Sequence, residues 1–212
     1  MNTFIKKYRM EKSKIEIIMD SVMDGTIGID QVWQNYGDTI RSTKDVNSEP
    51  EALALVGLYF RYGAKLEGDG YQKDAMRYFG DAHDVLEKSK KIVSPEQYNH
   101  AMEAILYALA NVNAKLENYK NALPYLKRLK NMFPRKDDYR TAYIGCLSSA
   151  IAKYTTPFYI VAGILFLFKM GEIYIFKTHF IPGWLVDTAW ILWIVILIIQ
   201  FGLPWIMKKF MK

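Results

Sequence analysis

Apolar positions along this chain follow two regimes. From residue 48 to 154 they recur at helical spacing, and from 157 onward they fuse into continuous runs. In the first regime Leu55, Leu58, Tyr59, Tyr62 and Leu66 mark one stripe, and Ala101, Ile105, Leu106, Leu109 and Val112 mark another. No alternation of strand period appears between them, so the predicted class is all-α. Start signals agree: Ser48-Glu49-Pro50-Glu51 and Ser94-Pro95-Glu96-Gln97 each read as a capping box with proline in the first turn. Upstream, 3–23 and 29–43 read as a helical hairpin around Asp24-Gly25-Thr26-Ile27-Gly28. Its expected buried stripe is Ile15, Ile18, Val22, Val32, Trp33, Tyr36 and Ile40. Asp137 to Tyr154 reads as a capping helix with Tyr143, Leu147 and Ile151 on one side. It is expected to stop at Thr155-Thr156-Pro157, with Thr156 capping the next helix.

The second regime is the membrane signal. Between Thr188 and Gln200 lie eleven consecutive apolar residues, within a run from Leu185 to Met207 bracketed by Trp184 and Trp205. At about 1.5 Å per residue such a run crosses a hydrocarbon core of about 30 Å, with tryptophans suited to its interfaces. The earlier run, Pro157 to Phe176, is long enough to span but carries Lys169 and Glu172. Spaced i, i+3, these two share a helix face and can neutralise each other, and Lys169 can snorkel outward. With Gln200 they define a candidate polar face of the membrane segment. A surface-lying or re-entrant first helix is the competing arrangement. Basic residues flank the pair of runs on the outside: Arg135, Lys136, Arg140 and Lys153 before, Lys208, Lys209 and Lys212 after. The positive-inside rule then predicts an integral membrane protein with both its N-terminal domain and its C-terminus in the cytoplasm. The stretch MNTFIKKYRMEKSK lacks the apolar region of a signal peptide.

Charge changes this picture little. The net +6 divides evenly, with 23 basic and 20 acidic residues in 1–156 and 5 and 2 in 157–212. Neither part has the dense basic patch of a nucleic-acid binder. The single cysteine, Cys146, excludes an intrachain disulfide and sits on an apolar helix pattern as a packing thiol. His83, His100 and His179 have no metal-ligand spacing, so neither metal nor cofactor is expected. Asp20 to Gln31 is a poor calcium loop, with Val22 at a ligand position and Gln31 where a bidentate Glu belongs. No phosphate-binding glycine loop and no hydrolase or metalloprotease motif occurs, which argues against an enzyme.

The helices come in similar pairs. Tyr59-x2-Tyr62-Gly63-x2-Leu66 precedes Ala75-x3-Phe79-x2-Ala82. Leu106-x2-Leu109-Ala110-x2-Asn113 precedes Ala122-x3-Leu126-x2-Leu129-x4-Pro134. This spacing resembles the tetratricopeptide repeat, in which small residues let two antiparallel helices approach closely. Ala75 and Ala122 stand 47 positions apart, against about 34 for a regular repeat. Asn113 replaces an aromatic, and Glu87 replaces the first closing proline. The resemblance implies an antiparallel helix-pair solenoid and protein or peptide binding on the concave face of each pair's first helix. Mapped here, that face comprises Phe60, Ala64, Glu67, Ala104, Tyr107, Asn111 and Lys115. Chaperone-binding members grip a C-terminal carboxylate with Lys and Asn. Phe60, Ala64 and Ala108 stand at those positions, which makes such a client unexpected. In the competing arrangement the N-terminal hairpin or capping helix covers Phe60 and Tyr107.

The expected organisation is therefore an N-terminal hairpin (1–47), tetratricopeptide-like repeats with a capping helix (48–155), and a transmembrane hairpin with a basic tail (156–212). The expected function is a membrane-anchored adaptor that binds a protein partner at the cytoplasmic surface. The alternative is an oligomerising membrane effector or pore gated by the helical-repeat domain.

Overall fold

In the computed structural model, residues 12–43, 45–171, 183–198 and 202 are described. Every regular element among them is helical. The order is α1 (Lys14–Met23), α2 (Ile29–Ser42), α3 (Glu49–Gly68), α4 (Gln72–Lys88), α5 (Pro95–Lys115), α6 (Tyr119–Met132), α7 (Asp137–Gly171) and α8 (Gly183–Leu197). The chain divides into two compact units, one ending at Leu129 and the other beginning at Lys130, within α6.

In the N-terminal unit the helix starts are mostly those expected. The Ser48 hydroxyl accepts from the Glu51 N–H at 3.3 Å, and Glu51 reaches back to accept from the Asn47 N–H at 3.1 Å. This is a capping box shifted outward by one residue. Ser94 does not cap α5. Its N–H and hydroxyl instead donate to Glu49 Oε1, at 2.9 and 2.6 Å. The hydroxyl expected to satisfy its own helix thus ties the starts of α3 and α5 together. Those two bonds hold the Glu49 carboxyl below the usual range, the side-chain bond contributing most. The helix expected from residue 3 begins at Lys14, because Ser13 takes an extended backbone and accepts from the Glu16 N–H. Residues 1–11 lie outside the described set.

The core follows from the small residues. Ala75, Ala82, Ala110 and Ala122 are buried, and Gly63 faces the Phe79 ring so closely that a Cβ there would stand 2.9 Å from it. Large side chains fill the remaining volume: Leu55, Leu58, Phe79, Leu86, Met102, Ile105, Leu106 and Leu129 are fully buried. α3 packs on both α4 and α1, and α4 packs on α5. The first pair joins this stack through Ile15, Ile18, Val32, Trp33 and Ile40, all buried. Val22 and Tyr36, expected in the same stripe, are half-buried. Trp33 stacks on Tyr62 at 4.8 Å and meets Tyr78 edge-on at 4.8 Å.

In the other unit the predicted stop at Thr155-Thr156-Pro157 does not occur. α7 runs unbroken through Pro157 for 35 residues, about 52 Å at standard rise. Thr156 is not a cap. Its hydroxyl donates back to the Ala152 carbonyl at 2.7 Å, and Thr155 donates to Ile151 at 3.0 Å. Such back-bonding satisfies the hydroxyls within the helix, at a slight cost to its stability. Pro157 costs the helix one backbone bond, to Lys153.

α7 is the one helix among the described residues long and apolar enough to cross a membrane. Its apolar side chains Phe158, Ile160, Val161, Ile164, Leu167 and Phe168 are exposed rather than packed into protein. α8 contributes 15 described residues. It meets α7 through aromatic rings, Trp193 against Tyr159 at 6.4 Å and Trp190 against Phe166 at 5.6 Å. Lys169 is half-buried two residues before the end of α7, while Glu172 and Gln200 lie outside the described residues.

Candidate functional site: a groove between the first helix pair and α3

The α1–α2 connection is a tight turn, and its chemistry explains the shape beside it. Gly25 takes φ +76°, a left-handed conformation that glycine adopts without strain. Asp24 Oδ1 accepts from the Thr26 N–H at 2.9 Å and the Thr26 hydroxyl at 2.5 Å. These bonds hold its carboxyl below the usual range. Asp24 is thus engaged in its own turn. No group of three or more metal-capable side chains converges among the described residues.

α1 lies close on α3 because Gly57 has no side chain: a Cβ there would stand 2.8 Å from Met19 Cε. Past this contact the surfaces separate, leaving an open groove of about 790 Å³. Met19, Val22, Ile27 and Ile29 form one wall, Phe60 and Ala64 of α3 the other, with Arg61 and His100 also lining it. Phe60 is half-buried, its ring 5.4 Å from Phe79. The N-terminal hairpin therefore walls Phe60 on one side without covering it. Tyr107 is 52% exposed.

The seven residues expected on one concave face separate into three sets. Phe60 and Ala64 line the groove. Glu67, Asn111 and Lys115 converge, but on each other. Glu67 Oε1 accepts from Asn111 Nδ2 at 2.8 Å and from Lys115 Nζ at 2.7 Å, bridging the ends of α3 and α5. With Glu49 at the other end, two carboxylates brace these helices. Ala104 and Tyr107 remain on the exposed surface of α5. Sequence reasoning missed the other wall, Met19, Val22, Ile27 and Ile29. Val22 was assigned to the core, and Ile27 sits in a glycine-flanked turn where periodicity carries no signal.

A second polar cluster joins α4, α5 and α6. Arg128 Nη2 donates to Glu87 Oε1 at 2.5 Å and to the Tyr98 hydroxyl at 3.2 Å, and Tyr98 donates to Glu87 Oε2 at 3.0 Å. Burial pushes the Glu87 carboxyl up, but the bonds from Arg128 and Tyr98 outweigh it and leave the group lowered. His83 Nε2 lies 3.2 Å from Arg128 Nη1. The same nitrogen lies 3.7 Å from Glu87 Oε1, and His83 Nδ1 lies 3.3 Å from Asp84 Oδ1. The cluster is a tie between helices. Cys146 is buried, and desolvation pushes its thiol up, which suits a packing cysteine rather than a nucleophile.

No protein-family model, curated protein or solved structure matches this chain. The functional reading therefore stands on its own geometry.

Proposed function

We propose that the chain is a membrane-anchored adaptor, non-enzymatic, whose N-terminal helical unit holds a protein partner at the cytoplasmic face of a bilayer. The observation that carries this reading is the groove: an open apolar trough with an aromatic floor and a cationic rim, which is the composition of a protein-binding surface. Exposed apolar patches on a folded unit mark interaction sites more often than solvent-facing accidents. In this reading the helix pairs are tetratricopeptide-like repeats. The matching turns of α3–α4 and α5–α6 support that assignment.

Anchoring rests on α7, whose apolar half meets α8 through aromatic rings and leaves its other apolar side chains exposed, as lipid contact requires. The proposed topology has two spans with both ends cytoplasmic, following the distribution of lysine and arginine. Proximity crosslinking from membranes tests the proposal, comparing the intact chain with a Phe60→Glu variant. Loss of one dominant protein from the crosslinked set is the expected result. An unchanged set, or self-crosslinks alone, would contradict the adaptor and favour an oligomerising membrane effector.

A further inference from the structure

We propose that the groove takes a peptide segment of its partner that sets apolar side chains against Phe60 and a carboxylate on Arg61. This rests on the adaptor reading and adds the chemistry of the partner. Some cations on the same unit are matched: Lys65 with Asp30 and Asp69, Lys115 with Glu67, Arg41 with Asp38. Arg61 has no carboxylate among the described residues. Its exposed guanidinium donates to the Met23 sulfur at 2.8 Å. A thioether is a weak acceptor, so exchanging it for a carboxylate replaces a poor bond with a charge-assisted, bidentate one.

The groove itself imposes the sign. Among the described residues its lining contains Arg61 and His100 and no Asp or Glu, although the chain has 22 acidic residues in all. An acidic group on the ligand thus meets attraction at Arg61 and no carboxylate among the described lining residues, whereas a basic one meets repulsion there. The apolar walls supply the remaining free energy, and they favour a peptide over a bilayer headgroup. Membrane surfaces are held by clusters of several lysines and arginines, not by one arginine beside an apolar trough.

The test uses the full chain in lipid nanodiscs, presented with a phage library of random dodecapeptides. Selections on the wild type, Arg61→Gln and Arg61→Glu are compared, and synthetic forms of the enriched peptides are then titrated by fluorescence anisotropy. Thermal melts check that each variant folds, which an exposed position should permit. The expected wild-type peptides combine apolar residues with Asp or Glu. Arg61→Glu should weaken them by at least about ten-fold, with Arg61→Gln between. Peptides enriched without acidic residues, or acidic peptides bound equally by Arg61→Glu, would overturn the proposal while leaving the adaptor standing. No enrichment over empty nanodiscs would overturn both. Displacement of the peptide by oleate added alone would overturn it in favour of a lipid occupant.

Discussion

The hairpins α3–α4 and α5–α6 have almost the same local construction and different surfaces. A constant offset of 47 residues relates them. In the first the chain leaves α3 through Asp69, Gly70 and Tyr71, with the Tyr71 N–H donating to the Leu66 carbonyl at 2.8 Å. In the second it leaves α5 through Leu116, Glu117 and Asn118, with the Asn118 N–H donating to the Asn113 carbonyl at 2.8 Å. Gly70 and Glu117 both take positive φ, 88° and 54°. These are one Schellman turn made twice. Yet the first hairpin forms a wall of the groove, whereas among the described lining residues the second contributes His100. The difference arises outside the hairpins: α1 and its turn stand against α3, and Gly57 admits them. Ala104, the counterpart of Gly57, lies exposed. Repetition builds the frame, and the element preceding it makes the site.

Large substitutions should break the shared frame first. Phe79 and Leu126 occupy equivalent core positions. Phe79→Ala should cost about 3–5 kcal/mol and Leu126→Ala about 2–5 kcal/mol in urea unfolding followed by circular dichroism. Gly63→Ala places a methyl group against the Phe79 ring and should cost about 1–3 kcal/mol. The reverse change at its counterpart, Ala110→Gly, removes no clash and should cost about 0.5–1 kcal/mol. If Gly63→Ala proves the milder of the two, the close approach of α3 and α4 is not what packs the hairpin.

The turns offer a finer test. Glu117 holds a left-handed conformation that costs an L side chain about 1–2 kcal/mol, so Glu117→Gly should raise stability by up to about 1 kcal/mol. Gly70→Ala should lower it by a similar amount. The Glu87 tie adds a pH dependence. Its folded carboxyl is lowered, so its contribution is present above the unfolded carboxylate range and fades as pH falls through the folded value. Glu87→Gln should therefore destabilise by about 1 kcal/mol at neutral pH, with a penalty that vanishes in acid. A penalty that persists at low pH would mean the bond to Arg128 is not ionic.

The helix-pair pattern was legible because small residues at fixed spacing suit close packing: Gly63 faces Phe79, and Ala75, Ala82, Ala110 and Ala122 are all buried. Departures from regularity were legible only as departures. Glu87, where the tetratricopeptide resemblance led to the expectation of a proline, holds Arg128 and Tyr98, residues 41 and 11 positions away. Asn113 is 2% exposed and donates to the Leu109 carbonyl at 2.8 Å, a bond an aromatic could not make. The site was half legible. Phe60 and Ala64 followed from the repeat frame, whereas Met19 and Ile27 depend on how a separate hairpin docks. Periodicity within α3 carries no information about that. The stop expected at Pro157 failed for a related reason: a proline forfeits one backbone bond, and an otherwise continuous helix tolerates that loss.

Ala64 and Ala104 supply the most direct test of the central claim. Both are exposed alanines on the first helices of their pairs, so a larger side chain should unfold neither. Ala64→Trp fills the groove, and Ala104→Trp enlarges the α5 surface one turn beyond His100, outside the described lining. The measurement is recovery of the dominant crosslinked partner from membranes carrying each variant. The account predicts that Ala64→Trp loses the partner and Ala104→Trp keeps it. Retention by Ala64→Trp, or loss confined to Ala104→Trp, would contradict it and move the working surface off the groove.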